Sequence, residues 1–256
     1  DGAIDIGSGT TDADEVTGGI VLNAGAGLLT ITTSADDVRF NGPVTLRSDV
    51  VITTNDNGGV DTGQSNAGNI LFTDAATIDS EAGEANDLAL TSGTGTIDFN
   101  GNIGAIDATT GSGTRIGTLT VSMTTGTVTI GGADTNPANT ETAPVTTINT
   151  DGAIDIGSGT TDADEVTGGI VLNAGAGLLT ITTSADDVRL NGPVTLRSDV
   201  VITTNDNGGV DTGQSNAGNI LFTDAATIDS EAGETNALTL RAGTGTITFN
   251  ANIGAI

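Results

Sequence analysis

The strongest constraint on the fold of this chain is a long internal sequence repeat. Residues 1–106 recur as residues 151–256 with eight substitutions, so the sequence repeats with a period of 150 residues. A shorter pattern recurs inside each 150-residue block. Its first occurrence consists of Leu29, Ile31, Val38 and Phe40. Two alternating apolar residues, a small polar turn and two more alternating apolar residues predict a short strand, a turn and a second strand.

The short pattern returns at intervals that indicate a smaller repeat unit. Leu29, Leu88, Leu119 and Leu179 occupy equivalent positions at steps of 59, 31 and 60 residues. These steps predict a unit of about 30 residues, about five units in a block and roughly nine in the chain, which is typical of a solenoid. We therefore divide the chain into a first block, 1–150, and a partial second block, 151–256, continuous with the first in one solenoid.

Two all-β architectures have such short strands: a parallel β-helix and a row of antiparallel sandwiches. Sandwich strands are usually longer, whereas β-helix strands can be short because each coil pairs with the coils on either side. In a β-helix, inward positions must stay apolar while outward positions can vary. The two copies differ in this way, since Phe40 becomes the apolar Leu190 at an inward position and Asp98 becomes Thr248 at an outward one. We predict an all-β parallel β-helix with short strands and Gly, Asn and Asp turns.

The charge and composition exclude several classes of function. The net charge of −27 includes 33 acidic residues against 6 basic ones, and such a surface repels nucleic acid and anionic lipid. No apolar run is long enough to span a membrane, and the lack of Cys excludes thiolate chemistry. The chain starts at Asp1 rather than Met, so we interpret it as a piece of a longer polypeptide. Its expected partners are neighbouring repeats of the same chain, with end-to-end association through the strand edges exposed at each end, or lateral self-association.

Catalysis would have to rely on carboxylates, because the chain has no His, Cys or Lys. A polysaccharide-acting β-helix enzyme could use paired carboxylates, and the candidates are Asp36 with Asp37, Asp12 with Asp14, and Asp79 with Glu81. However, Trp and Tyr are absent, so no aromatic platform is available for a sugar. Candidate pairs that recur in tandem are more typical of repeated stalk units than of active sites. We predict no catalytic residues and no enzyme activity.

One loop and its copy are candidate Ca²⁺ sites. The oxygen ligands would come from Asn55, Asp56, Asn57 and Asp61 and from Asn205, Asp206, Asn207 and Asp211. Calcium accepts such carboxylate and amide oxygens, but the loop lacks the terminal bidentate Glu of an EF-hand. The alternative is a plain Asn/Asp/Gly turn with left-handed dihedral angles. The same two interpretations apply to Asp12, Asp14 and Glu15.

Threonines alternate with apolar residues in several strands, which suggests a regular row of hydroxyl groups. The residues concerned are Thr30, Thr32, Thr118, Thr120, Thr127 and Thr129. Some ice-binding solenoids carry such rows, but Thr is also a common outward residue of ordinary strands. The spacing in this chain is too irregular to favour a flat ice-binding lattice.

Three segments resemble a known group of proteins: VRFNGPVTL (38–46), LALTSGTGTIDFNGNIGAI (88–106) and RIGTLTV (115–121). They are similar to the β-strand repeats of giant bacterial surface proteins of the filamentous-haemagglutinin-like adhesin type. The resemblance implies a right-handed β-helical stalk, exported and exposed at the cell surface. We therefore expect an extracellular structural segment that forms a rigid fibre, stalk or adhesin shaft. The alternative is a calcium-dependent adhesive module.

Thermal unfolding with and without Ca²⁺ distinguishes these two functions. If the loops bind calcium, millimolar Ca²⁺ should raise the melting temperature, because a ligand bound only to the native state stabilises it. A change in melting temperature below about 1 °C would indicate that the loops are plain turns. Mg²⁺ at the same ionic strength controls for general screening of the acidic surface.

Overall fold

The chain is a parallel β-helix with three faces. A computed structural model describes residues 2–7, 14–55, 68–104, 114–131, 146–158, 165–204 and 218–254. Every pairing between two strands in these residues is parallel. The predicted fold class is thereby confirmed.

Each face is a sheet whose strands stack in chain order. The first face contains β1 (Ile4–Ile6), β4 (Val38–Phe40), β7 (Ile70–Phe72), β10 (Ile97–Phe99), β12 (Val128–Ile130), β15 (Ile170–Leu172), β18 (Val194–Leu196) and β21 (Ile228–Ser230). The second face contains β2 (Ile20–Leu22), β5 (Val44–Leu46), β8 (Ile78–Ser80), the single bridging residue Ile103, β13 (Thr147–Thr150), β16 (Leu178–Thr183), β19 (Asp199–Thr203) and β22 (Leu238–Arg241). The third face contains β3 (Leu29–Thr32), β6 (Val50–Thr53), β9 (Leu88–Gly93), β11 (Leu119–Thr124), β14 (Ile154–Ile156), β17 (Val188–Leu190), β20 (Ile220–Phe222) and β23 (Ile247–Phe249).

The chain visits the three faces in turn, so three successive strand positions make one coil. Eight such coils stack along the axis in the described residues, rather than the roughly nine predicted. At an inter-strand spacing of about 4.8 Å, the strands of the first and last coils lie about 34 Å apart.

The strands are short because a coil needs only two inward side chains on each face. In β5, Val44 and Leu46 are fully buried while Thr45 between them is partly exposed. Each inward residue packs on its counterpart one coil away, and the clearest case is a stack of three phenylalanines. The Phe72 ring lies 5.0 Å from that of Phe40 and 5.5 Å from that of Phe99, nearly parallel to both. Stacking of like residues therefore fills the thin interior with aliphatic side chains and a few phenylalanines.

The substitutions between the copies follow this inside–outside division. Phe40 and its replacement Leu190 are both fully buried, which confirms the predicted inward position. Asp98 and its replacement Thr248 are the middle residues of β10 and β23 and are both partly exposed, as predicted. A change from a carboxylate to a hydroxyl is tolerated there because the side chain reaches solvent.

The prediction of five equivalent units in a block was wrong. Fourteen strand positions, counting Ile103 as one, separate β1 from its copy β14 in the described residues. With three positions in a coil, the block makes four turns and two-thirds of a fifth. Leu29, Leu88 and Leu119 do share one column of the third face, but Leu179 lies on the second face opposite Val200. The connections between strands differ in length, so counting residues misjudges the number of turns.

The two blocks are joined by strand pairing and by one buried arginine. β11 pairs with β14, β12 with β15 and β13 with β16. Arg115 is 7% exposed, donates a hydrogen bond to the Ser184 hydroxyl and lies 3.7 Å from an Asp151 carboxylate oxygen. Both partners belong to the second block, so this side chain crosses the junction. A buried guanidinium needs such partners because its isolated charge is costly to desolvate.

The phenylalanine stack gives a matched pair of variants. Phe99 is fully buried, whereas its copy Phe249 is 40% exposed in the last described coil. We expect Phe99→Ala to lower the free energy of unfolding by about 3–5 kcal/mol, because it leaves a cavity beside Phe72. Phe249→Ala should cost clearly less. Urea denaturation followed by circular dichroism measures both, and equal losses would contradict the packing described above.

Candidate functional site

A groove crosses the outer surface of the third face. It has a volume of about 380 Å³ and lies over β14, β17, β20 and β23. Its lining comes from the first two residues of β14 and β17, from the middle residues of β20 and β23, and from the residues at the corner just before each strand. Groove residues therefore recur at the spacing of the coils, about 4.8 Å.

The floor of the groove is one outward row of side chains. Asp155, Arg189, Leu221 and Thr248 stand opposite one another in successive strands. They point outward because the residues on either side of each are the inward ones. The guanidinium of Arg189 donates to an Asp155 carboxylate oxygen at 2.8 Å and to the Gly157 carbonyl at 2.8 Å. This partly exposed ion pair contributes at most about 1 kcal/mol, so it mainly fixes the arginine in place.

The wall of the groove is a ladder of side-chain hydrogen bonds at the corner. Asp187 accepts a hydrogen bond from the backbone N–H of Asn219 at 2.6 Å. The Asn219 amide oxygen then accepts from the backbone N–H of Thr246 at 2.9 Å. The sheet ladder thus continues past the strand ends, because these side chains satisfy corner N–H groups of the next coil.

The first block contains the same row on the first face. Asp5, Arg39 and Leu71 stand in register there, and Arg39 lies 3.2 Å from an Asp5 carboxylate oxygen. The fourth member is Asp98, where the second block has Thr248. Burial raises the pKa of Asp98 above its usual value of 3.8, and hydrogen bonds from the hydroxyls of Thr129 and Thr96 partly offset this effect.

Asp36 and Asp37, the adjacent carboxylates predicted as a candidate pair, accept hydrogen bonds from two different coils. Asp36 accepts a hydrogen bond from the backbone N–H of Gly2, in the preceding coil, at 2.9 Å. Asp37 accepts from the backbone N–H of Asn69, in the following coil, at 2.7 Å. The structure therefore uses both groups to hold neighbouring coils, which is a structural role.

The other candidate carboxylates have similar contacts. Asp79 accepts a hydrogen bond from the Thr114 hydroxyl at 2.8 Å. Glu81 lies 3.0 Å from the guanidinium of Arg47. Asp12 lies outside the described residues, while Asp14 and Glu15 are described and partly buried.

Most of the predicted calcium ligands cannot be placed. Asn55 is described and forms an isolated antiparallel bridge with Ser34. The other predicted ligands lie outside the described residues: Asp56, Asn57, Asp61, Asn205, Asp206, Asn207 and Asp211. In the part of the chain that is described, no three Asp or Glu side chains cluster closely enough to hold a metal ion. Calcium binding stays a prediction.

The predicted threonine row is divided between faces. Thr30 and Thr120 both lie on the third face, but Val51 and Ala89 stand between them. Thr129 lies on the first face, opposite Asp98. Thr32 does stand in one row with Thr53, Thr91 and Ser122 on the third face, but Thr30, Thr120 and Thr129 belong to no such row of hydroxyls.

The groove was not predicted from the sequence, although the sequence contains a signal for it. Arg39 and Arg189 are each the middle residue of a three-residue strand, and Asp5 and Asp155 occupy the same place 34 residues earlier. An arginine and an aspartate at the same strand position, about one coil apart, could have been predicted to pair. The unequal connections between strands hid that relation.

Comparison with known proteins gives one informative similarity. The chain is 33% identical over 262 residues to a protein named outer membrane protein A of Rickettsia rickettsii, and the match covers 96% of this chain. The chain spans only about 10% of the length of that relative. No protein-family model and no solved structure matches the chain. Within the described residues, no helix has the length and apolar character needed to cross a membrane.

The difference between Asp98 and Thr248 predicts a pH-dependent effect on stability. Because the pKa of Asp98 is raised in the folded state, this group favours folding below its usual pKa of 3.8 and loses that contribution as the pH rises through the folded value. Asp98→Thr should therefore raise the urea midpoint at pH 7, and this gain should shrink at about pH 3.

Asp98→Asn provides the control for this prediction, because it removes the charge and nearly preserves the shape. It should show the same pH dependence as Asp98→Thr. A change in midpoint that is the same at both pH values would assign the effect to strand propensity or packing rather than to ionisation.

Proposed function

We propose that this chain is a structural segment of a bacterial cell-surface protein, where it forms part of a rigid stalk or adhesin shaft. The observation that carries the proposal is the pairing of all three faces across the block boundary. Strands on either side of residue 150 are joined by β11–β14, β12–β15 and β13–β16 pairing. Further blocks can therefore extend the same rod without a flexible joint.

The mechanical role follows from the direction of the interactions. In a solenoid of parallel strands, the backbone hydrogen bonds between coils run nearly along the axis. The aromatic stack and the corner hydrogen bonds run in the same direction, since each joins one coil to the next. Bending the rod would stretch these interactions together on one side. Length is then added one coil at a time while the cross-section stays constant.

Sequence similarity and charge support a location at the cell surface. The relative that matches over nearly the whole chain is named an outer membrane protein. A net charge of −27 disfavours lateral aggregation of exposed sheets. Non-enzymatic function fits the described carboxylates, whose contacts hold coils together.

Adding repeats tests the shaft. A chain lengthened by one and by two 150-residue blocks should grow by about 22 Å with each block at constant cross-section, because each block adds four and two-thirds coils. Small-angle X-ray scattering measures both quantities. Separate globules joined by flexible segments would instead give a broad range of end-to-end distances, and that result would refute the shaft.

Labelling of intact cells tests the location. Antibodies raised against the 256-residue chain should stain unpermeabilised cells that make the parent protein. Staining that appears only after permeabilisation would contradict the surface role while leaving the solenoid intact.

A further inference from the structure

The second face is held weakly where the two blocks meet. On the side of the first block, this face narrows to the single bridging residue Ile103, which pairs with Ile78 and with Ile148 of β13. The first and third faces instead join strand to strand, β12 to β15 and β11 to β14. A single bridging residue gives β13 little to fix its position along the strand direction, so the register of the second face is weakly specified there.

The apolar pattern does not distinguish the observed register of β13 and β16 from one shifted by two residues. In the structure, Ile148 is opposite Ile181, and Thr150 is opposite Thr183. A shift of two residues would place Ile148 opposite Leu179. Thr150 would then be opposite Ile181, so the interior would remain apolar and each side chain would keep its inward or outward direction.

Arg115 makes a contact that depends on the observed register. Ile116, the next residue, bridges to Thr150 in the following coil. The Arg115 guanidinium contacts the coil after that one, where it donates a hydrogen bond to the Ser184 hydroxyl. It also lies 3.7 Å from a carboxylate oxygen of Asp151. A shift of two residues would move Ser184 by about 6.6 Å along the strand, beyond hydrogen-bonding distance of the guanidinium in this position.

Burial makes this contact costly to lose. Arg115 is 7% exposed and Ser184 is 4% exposed. A buried guanidinium that loses an acceptor pays a large desolvation penalty, whereas exchanging one aliphatic neighbour for another costs little. A polar residue within an otherwise apolar interface can therefore specify its register.

The first block contains the same strand without a preceding coil. β16 extends the copied strand β3 by one residue at each end, from four residues to six. Ser34, the copy of Ser184, is partly exposed and forms an isolated antiparallel bridge with Asn55. Within the described residues, β3 lies at the edge of its sheet, whereas β16 lies between β13 and β19. The longer strand and the buried serine thus occur where the coils with Arg115 and β13 come before.

We propose that Arg115 is a positioning residue that sets the register in which the second block docks on the first. The partner that it selects is the end of β16, through the Ser184 hydroxyl beside Asp151. The Ser184 hydroxyl also donates a hydrogen bond to Asp151 at 3.4 Å, so the three side chains contact one another. The inference concerns the junction inside this chain and does not depend on the shaft role.

Disulfide trapping reports the register, because the chain has no Cys of its own. Thr147 and Thr180 are opposite each other, about 4.8 Å apart, which a disulfide can span. In the shifted register they would be about 8 Å apart, beyond the reach of a disulfide, and Leu178 would be opposite Thr147. Thr147→Cys with Thr180→Cys therefore reports the observed register, and Thr147→Cys with Leu178→Cys reports the shifted one. Mass spectrometry of peptides after mild oxidation measures both disulfides.

Replacing the arginine should release the register. With Arg115 present, we expect only the disulfide between positions 147 and 180. In Arg115→Met its yield should fall and the disulfide between positions 147 and 178 should appear. Arg47→Met is the control, because Arg47 pairs with Glu81 on the surface and is 44% exposed. An unchanged disulfide pattern in Arg115→Met, or the same change in Arg47→Met, would overturn the inference.

A smaller change at the acceptor keeps the test decisive if Arg115→Met does not fold. Ser184→Ala removes only the hydroxyl, and Ser34→Ala is its matched control in the first block. We expect the disulfide of the shifted register in Ser184→Ala and not in Ser34→Ala. Its absence from a folded Ser184→Ala chain, checked by circular dichroism, would show that strand pairing alone fixes the junction and would overturn the inference.

Discussion

Pairing of each coil with the next is the constraint on which the rest of this structure depends. A strand of three residues has too few hydrogen bonds and too little apolar surface to be stable alone. It persists here because a parallel neighbour lies on either side, as when β7 lies between β4 and β10. The interior follows from the same stacking, since each inward side chain rests on its counterpart one coil away. Aliphatic residues and a few stacked phenylalanines, connected by glycine-rich turns, are then sufficient for a core.

Stacking also explains how the acidic residues are accommodated. Several carboxylates accept hydrogen bonds from backbone N–H groups of an adjacent coil. Asp37 accepts from Asn69, and Asp187 accepts from Asn219. Five arginines lie beside carboxylates of neighbouring coils, as Arg39 does beside Asp5. The side chains that give the surface its charge thus also connect the coils. A polar surface of this kind can drift in sequence while the stacking is maintained.

Repetition of sequence and repetition of structure have different periods in this protein. The sequence repeats every 150 residues, but the structure repeats with every three strand positions. The mismatch places the two copies of a strand on different faces of the rod, as with β1 on the first face and β14 on the third.

The solenoid and the inward or outward direction of its side chains could be predicted from the residue pattern. Alternation in segments such as Val44-Thr45-Leu46 fixes which residues are inward, because successive side chains of a strand point to opposite sides. The groove and the rotation between copies could not be predicted in the same way. Connections of unequal length between the strands set how many turns separate two residues. For that reason the ion pair between Arg189 and Asp155, and the position of Leu179 on a different face from Leu119, became visible only in the folded chain.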